Sequence, residues 1–522
     1  MNKIKTVLCS KFTVKYLLPL LSGILLGLSF PPLKLNGLIF ISLVPLVISL
    51  RINRQRSFLR GWLTGITFFL IHLSWVMSLN VEGITKLLLT VGVVLLGLYL
   101  SFYPALTSWL SNRFKKPLLF GLMFASTWTG FEFLRSLTNQ IGFPWGSLGY
   151  SLTRYPALIQ LASWGGVYLV SLWILEVNVL VSFALLKIRW SYWVLPALLL
   201  LPWLWGYGVL RYSDMPETDP CIKIILLQPD IRQDIKGQDS PRIIQLRKNM
   251  LLQQSSQLAT AHSPDLIIWP ETIWPWPVKS LYLEYFPESQ ILADSAQSWN
   301  TSLLVGCVDY TRWKDSYRPT NSLFFIDNHG EIIKRHNKVY LVQFGEHLPF
   351  DDVFPVLTNI DLGQSDYLPG EQVENFQIEN IKFGAGICFE SVFPQYFNKL
   401  REQGADFLVN VTDDQWFGET FGPYQHAYMS VIRAVENRCY LLRCANTGVT
   451  MVVDPYGRIE EILPRNEQGY LLVELSLTKS SENYPHKIQF IFPWLVVALM
   501  VILGVKLLVE KIKQKRRRVE DV

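Results

Sequence analysis

In the second half of the sequence a cysteine, a lysine and two glutamates stand where apolar runs end. The run Leu266-Ile267-Ile268-Trp269 stops at Pro270 and delivers the Glu271 carboxylate to the carboxyl end of an expected strand. Lys338 and Glu346 bracket a short apolar turn. Phe383–Ile387 runs directly into Cys388, with a helix expected from about Phe393 to Gln403. A thiol attacks a carbonyl as its thiolate, so it needs a base, and a glutamate in a dry pocket has a pKa raised enough to serve. At a strand-to-helix turn the thiolate pKa is expected to be lowered by helix N-terminal amides. The tetrahedral intermediate then needs a positive donor for its oxyanion, which a lysine supplies. Together these groups point to covalent catalysis at a carbonyl centre.

Taken singly, each residue has an ordinary explanation. Cys388 fits a buried inert thiol, Glu271 a helix N-terminal residue, and Lys338 a solvated loop lysine. Other functions also stay open at this point. One is a membrane-tethered amidase that hydrolyses its thioester with water; against it, a tether needs one helix and not eight. Another pairs Cys388 with His426 as a thiol-protease dyad. A third is a non-catalytic binding protein that tolerates Cys388→Ser.

The elements that must position these residues begin near Cys221. Ile222–Leu227 reads as a strand, Arg242–His262 as a helix, and Leu266–Trp269 as a buried strand. Further apolar runs follow at Ser302–Val308, Leu323–Ile326, Phe383–Ile387, Phe407–Val411, Tyr440–Cys444 and Thr450–Val453. Continuous apolar strands alternating with helices predict sheet covered by helices in one large α/β domain. Cys307, Cys439 and Cys444 fall in such runs and read as buried thiols.

The rest of the chain is of another kind. Only 17% of the residues are charged, against about 25% in a soluble protein, and mean hydropathy is +0.23. Charge is sparse before about residue 215 and again after 486, until a basic tail. A bilayer core takes roughly 20 apolar residues per helix. The expected spans are Tyr16–Leu33, Gly37–Leu50, Gly61–Leu79, Leu87–Leu110, Pro117–Leu134, Pro156–Leu186, Tyr192–Val209 and Ile488–Val509. Basic residues cluster in alternate loops: Lys3 to Lys15, Arg51 to Arg60, Arg113 to Lys116, Lys187 with Arg189, and Lys511 to Arg518. By the positive-inside rule these loops and both termini are cytoplasmic. The expected organisation is a seven-helix transmembrane domain over 1–212, an extracytoplasmic catalytic domain over 213–487, and a C-terminal span with a basic tail over 488–522. The net charge of +6 is then orientation and lipid contact, and no nucleic-acid partner is expected. Glu132 and Glu176 lie within apolar runs, close enough to their ends for an interfacial place. The loop Ile141–Ser151, rich in glycine and aromatics, fits either an aromatic belt or a path for lipid beneath the soluble domain.

Trp269-Pro270-Glu271, Lys338 with Phe344-Gly345-Glu346, and Gly386–Glu390, in this order, resemble the nitrilase (carbon–nitrogen hydrolase) superfamily over about residues 221–475. Eight spans around one such external domain are similar to the apolipoprotein N-acyltransferase family. Gly142–Trp145, Leu148–Ser151, Trp416-Phe417-Gly418, Gly422–His426 and Asn446–Thr450 are similar to that family's motifs. Gln343 stands where a proline is usual and Cys444 replaces a small hydroxyl residue, which leaves the shape of the nearby pocket open. The resemblance implies an integral membrane α-helical bundle plus an α/β/β/α sandwich. It makes Cys388 the nucleophile, Glu271 the general base and Lys338 the oxyanion stabiliser. Glu346 orients Lys338 and the leaving group, and Glu390 supports the site. It implies acyl transfer from a phospholipid, phosphatidylethanolamine in the family, through a cysteine thioester. The acceptor is the α-amine of a diacylglyceryl-cysteine at an apolipoprotein N-terminus. The place it implies is the bacterial cytoplasmic (inner) membrane, with the catalytic domain periplasmic. No cofactor is implied; the seven histidines are scattered, no CxxC motif occurs, and no metal is expected. Trp416, Phe417 and Phe421, with Trp274 and Trp276, are candidates for a lid at the membrane surface. Trp145 and Tyr150 are the substrate-side candidates in the Gly142 loop.

Overall fold

The computed structural model describes residues 12–79, 83–138, 142–213, 221–232, 236, 240–278, 288–314, 316–350, 353–354, 365–477 and 486–520. The chain divides into two compact units. One holds Met1–Leu137, Phe143–Tyr212 and Lys487–Val522; the other holds Thr138–Gly142 and Ser213–His486. Of the N-terminal basic residues, Lys3, Lys5 and Lys11 lie outside the described residues.

The first unit is helical. Among the described residues, four of its helices are long and apolar enough to cross a bilayer: Lys86–Ser111, Ala162–Leu185, Ser191–Tyr212 and Ile488–Gln514. Ser191–Tyr212 exposes Trp193, Leu201, Leu204 and Tyr207, a surface suited to lipid. The expected span Gly37–Leu50 is not one helix. A 3₁₀ turn, Asn36–Phe40, precedes a nine-residue helix, Val44–Ile52, with Pro45 in its first turn. That proline lacks the N–H needed to continue from the preceding turn. The expected span Pro156–Leu186 is also broken. A one-turn helix, Pro156–Ile159, comes before Ala162–Leu185, and Gly166 sits at φ +63° inside the latter, a conformation that glycine adopts without steric cost.

Glu132 is buried in this unit. Its Oε1 accepts the Leu148 backbone N–H at 2.9 Å and Trp128 Nε1–H at 3.2 Å. Gly149 N–H donates to Ser171 Oγ, and Asn36 Nδ2 donates to the Ser151 carbonyl. The loop after Gly142 is therefore folded into the helices. Trp145 and Tyr150 are 2% and 1% exposed, so neither side chain presents a surface to substrate; the polar atoms of Glu132, Asn36 and Ser171 hold the loop that carries them.

The second unit contains two six-stranded sheets. The first has the order β12-β1-β2-β3-β4-β5 and the second β11-β10-β9-β8-β7-β6. Here β1 is Cys221–Gln228, β2 Leu266–Ile268, β3 Ser302–Trp313, β4 Ser316–Ile326, β5 Ile332–Asn337 and β6 Phe376–Ile378; β7 is Ile381–Ile387, β8 Phe407–Thr412, β9 Leu441–Ala445, β10 Thr450–Val453, β11 Ile459–Leu463 and β12 Gly469–Ser476. Both sheets share a plan, three parallel central strands flanked by antiparallel edges: β1–β2–β3 in one and β7–β8–β9 in the other. Helices Pro241–His262 and Glu288–Trp299 make the crossovers of the first; Pro394–Glu402 and Gly422–Asn437 make those of the second. Parallel strands require such crossovers.

The continuous apolar runs follow from burial on both faces. Ile225, Ile267, Trp269, Leu303 and Val305 pack with Leu251, Ala259, Leu292 and Ala296 of the two covering helices. The alternate residues Ile224, Leu226, Leu266, Ile268 and Leu304 point the other way and are equally buried. The two sheets meet there: Cys444 Sγ on β9 donates to the carbonyls of Leu227 and Ile268 at 3.3 Å each. The layers are helix, sheet, sheet, helix. Cys307, Cys439 and Cys444 are buried free thiols.

Candidate active site

Glu271, Lys338 and Cys388 reach one place because each stands just past the carboxyl end of a strand, β2, β5 and β7 respectively. Glu271 lies in a turn drawn tightly onto β3. The Gly306 carbonyl accepts the N–H groups of Ile273 and Trp274, and a Cβ at Gly306 would lie 2.2 Å from the Pro270 carbonyl oxygen. No helix follows Glu271, so it is not a helix N-terminal residue. Its Oε1 accepts Asn321 Nδ2 at 2.7 Å and Lys338 Nζ at 3.3 Å. Its Oε2 accepts the Asp413 N–H at 2.8 Å.

Lys338 is fully buried, not a solvated loop lysine. Its Nζ donates to Glu346 Oε1 at 2.8 Å as well as to Glu271. Asn321 Nδ2 lies between both glutamates, 3.3 Å from Glu346 Oε1, and its carbonyl accepts the Lys338 N–H. Glu346 is oriented by the Val342 N–H, 2.9 Å from Oε2. A buried ammonium between two carboxylates is compensated by charge and by hydrogen bonds together.

Cys388 opens a five-residue 3₁₀ turn, Cys388–Val392, at φ +50°. The helix expected from about Phe393 to Gln403 runs from Pro394 to Glu402. Glu390, in that turn, is fully buried. Its Oε1 accepts the N–H groups of Val339 and Tyr340 at 2.6 and 3.3 Å, and its Oε2 accepts the Ile387 N–H at 2.7 Å. One carboxylate thus ties the backbone beside Lys338 to the backbone beside Cys388.

The electrostatics run opposite to the sequence expectation. Burial pushes the Cys388 thiol well above its ordinary pKa; the Glu271, Asp414 and Glu346 carboxylates add to this, against Lys338. Burial alone would raise the Glu271 carboxyl, but the Lys338 ammonium, Asn321, Lys236 and the Asp413 N–H outweigh it and hold the group below its ordinary value. Burial likewise would lower Lys338, yet Glu271, Glu346 and the Cys388 sulfur hold it well above the usual lysine range. The resting site is a neutral thiol, an anionic base and a cationic lysine. The helix N-terminal effect expected at Cys388 is missing because no long helix starts there. Such a set can accept a thiol proton as the sulfur attacks a carbonyl, and can offer a cation to the oxygen of that carbonyl.

His426 Nε2 lies 3.1 Å from the Cys388 carbonyl oxygen, and its Nδ1 lies 2.8 Å from Asp414 Oδ1. Trp274 is part of the core beside Trp269 and Trp276, so it is packing and not a lid. Trp416 is 61% exposed. Phe417 packs its ring 5.7 Å from that of His426. Asn321 was not legible in the sequence, standing in β4 between two other polar residues, Thr320 and Ser322; nor were Asp413 and Lys236, joined by a 2.5 Å ion pair beside Glu271.

Two family profiles match the chain: apolipoprotein N-acyltransferase N-terminal domain over residues 22–180 and carbon-nitrogen hydrolase over residues 241–482. The apolipoprotein N-acyltransferase of Geobacter metallireducens is 33% identical over 500 residues, covering 92% of this chain and 93% of that protein. That of Chlorobaculum tepidum is 31% identical, covering 88% and 91%. Among solved structures, Saccharomyces cerevisiae Nit3, a member of branch 10 of the nitrilase superfamily, is similar over 53% of this chain and 97% of its own, at 19% identity and a TM-score of 0.39.

Proposed function

The chain belongs to the apolipoprotein N-acyltransferase family, and we propose that it acylates lipoproteins by a ping-pong route through Cys388. The donor is a membrane phospholipid, phosphatidylethanolamine as in the family. The acceptor is the α-amine of an N-terminal S-diacylglyceryl-cysteine.

In the first half-reaction Glu271 takes the Cys388 proton as the sulfur attacks an ester carbonyl of the phospholipid. Lys338 donates to the oxyanion, with Glu346 orienting its ammonium. The C–O bond breaks, the lysophospholipid oxygen takes the proton back from Glu271, and a thioester remains. In the second half-reaction the acceptor amine attacks that thioester and loses a proton to Glu271. The C–S bond breaks, the amide forms, and the proton returns to the sulfur. Glu390 holds the two backbone segments in register throughout.

The observation that carries this reading is the buried Lys338 ammonium shared between Glu271 and Glu346, with Cys388 close enough to contribute to its charge balance. Eight spans, both termini cytoplasmic and residues 213–487 on the periplasmic face of the inner membrane complete the proposal. Such a placement confines the search for two lipid-anchored substrates to the plane of the bilayer.

The test is intact mass of the purified protein after incubation with phosphatidylethanolamine, beside Cys388→Ala. An added acyl mass, removed by hydroxylamine and missing from Cys388→Ala, is the expected result. No adduct on the wild-type protein overturns the reading.

A further inference from the structure

Around the Cys388 backbone lies a buried polar network with no part in the acyl-transfer steps above. Its focus is the Cys388 carbonyl oxygen. That one atom accepts from Ser391 Oγ at 3.0 Å and from Asn410 Nδ2 at 3.3 Å, and faces His426 Nε2 at 3.1 Å. Three such groups around one carbonyl are more than its two lone pairs ordinarily take. They come from three separate elements: the Cys388–Val392 turn, β8, and helix Gly422–Asn437.

The need for them is local. Cys388 is at φ +50°, a left-handed conformation costing a non-glycine residue of order 1–3 kcal/mol that the surroundings must offset. A relaxed turn would swing the carbonyl and, with it, the direction of the Cα–Cβ bond that aims the sulfur.

His426 is itself held. Nε2 lies 3.1 Å from the Cys388 carbonyl oxygen and 3.1 Å from Ser391 Oγ; with its proton on that nitrogen it donates to the carbonyl. Nδ1 lies 2.8 Å from Asp414 Oδ1 and 3.0 Å from Arg443 Nη2. Arg443 grips the other Asp414 oxygen at 2.7 Å and also donates to Asn410 Oδ1, so both side-chain donors from outside the turn are fixed by one guanidinium. The Asn446–Thr450 segment closes over the network, and a Cβ at Gly448 would lie 2.4 Å from Asp414 Oδ2. All four of these polar side chains are at most 1% exposed.

We propose that His426, held by Asp414 and Arg443, is a positioning residue that fixes the Cys388 turn in the conformation that aims its sulfur. This rests on Cys388 being the acylated residue. It predicts that loss of the Nε2 donor slows attack by the sulfur and leaves donor binding alone.

The test uses the full chain in phospholipid nanodiscs, with two readouts: the rate of thioester formation with phosphatidylethanolamine across donor concentrations, and the rate of Cys388 alkylation by iodoacetamide followed by peptide mass. His426→Leu removes the donor; His426→Gln offers an amide N–H in its place. In His426→Leu both rates should fall about tenfold, the loss of one buried hydrogen bond, with donor KM within about twofold of wild type. His426→Gln should recover most of each. Equal rates in Leu, Gln and wild type overturn the proposal, as does an equal fall in Leu and Gln. If His426→Leu fails to fold, the isosteric Asp414→Asn replaces it, since it loosens the ring without removing it. A wild-type thioester rate there is then the overturning result, and a fall at unchanged KM the supporting one. Absence of a thioester on wild-type protein condemns the acyl-transfer reading instead, and the alkylation rates alone then decide the positioning role.

Discussion

The Glu390 carboxylate takes the Val339 N–H at 2.6 Å, coupling the residue that follows Lys338 to the turn that carries Cys388. Its other oxygen takes the Ile387 N–H, so both oxygens face donors. Glutamine in its place must turn its own NH₂ toward one of them. A buried hydrogen bond to a charged group contributes ~1.5–3 kcal/mol, so Glu390→Gln should slow thioester formation roughly ten- to a hundredfold while the protein still folds. Wild-type rates of acyl-enzyme appearance by intact mass would show that this coupling does not matter.

Lys338 makes a different prediction because it neutralises two buried carboxylates. Removing it leaves Glu271 and Glu346 facing one another across Asn321. Breaking a buried pair by deleting one partner costs about 3–5 kcal/mol. Lys338→Met should therefore abolish acylation and also lower the thermal midpoint measured at fixed scan rate. The double change Lys338→Met with Glu346→Gln should recover part of that midpoint and none of the activity. A midpoint in Lys338→Met equal to wild type would contradict the account.

The pH dependence follows from the same charges. The base works only when ionised, and Glu271 is held below its ordinary value. Thioester formation should fall on the acid side only beneath the ordinary glutamate pKa, about 4.3, and stay level through neutrality. Cys388 and Lys338 are both held high, so no alkaline limb should appear near pH 7–8. Stability has the same sign: a carboxylate depressed on folding contributes fully above its unfolded pKa and loses that contribution as pH falls through the folded one. An acid limb centred between pH 6 and 7 in initial rates would mean a raised Glu271, and the charge arrangement would be wrong.

What the sequence revealed and concealed has a physical pattern. Glu271 and Cys388 stand out because each follows a continuous apolar run and is delivered to a strand terminus, and Lys338 because it brackets an apolar turn with Glu346. Asn321 does not, since it lies in β4 among the polar residues Thr320 and Ser322 and its partners are 50 and 25 residues away in the chain. The directions of the pKa shifts were misread for a related reason. Burial is visible in an apolar run, but the counter-charge that outweighs it at Glu271 comes from another strand. Trp274 and Trp276 read as lid candidates in the sequence, yet the tight turn on Gly306 folds Trp274 into the core. In the helical unit Pro45 and Gly166 were readable as residues and not weighed as breaks, so two spans were drawn longer than the helices they contain.

Gly306 carries the last prediction. β3 passes so close to the Glu271 turn that an added methyl would stand 2.2 Å from the Pro270 carbonyl oxygen and 2.9 Å from Glu271 Cα. These contacts are backbone, so no side-chain rotation relieves them. Overpacking of this kind costs ~1–3 kcal/mol, and here the displaced atoms carry the base. Gly306→Ala should lower thioester formation by more than the stability loss alone explains, because Glu271 moves away from Asn321 and the Asp413 N–H. Iodoacetamide labelling of Cys388 separates the effects. A thiol that needs Glu271 as its base will label slowly in folded Gly306→Ala, and labelling at the wild-type rate would place Glu271 outside the proton transfer.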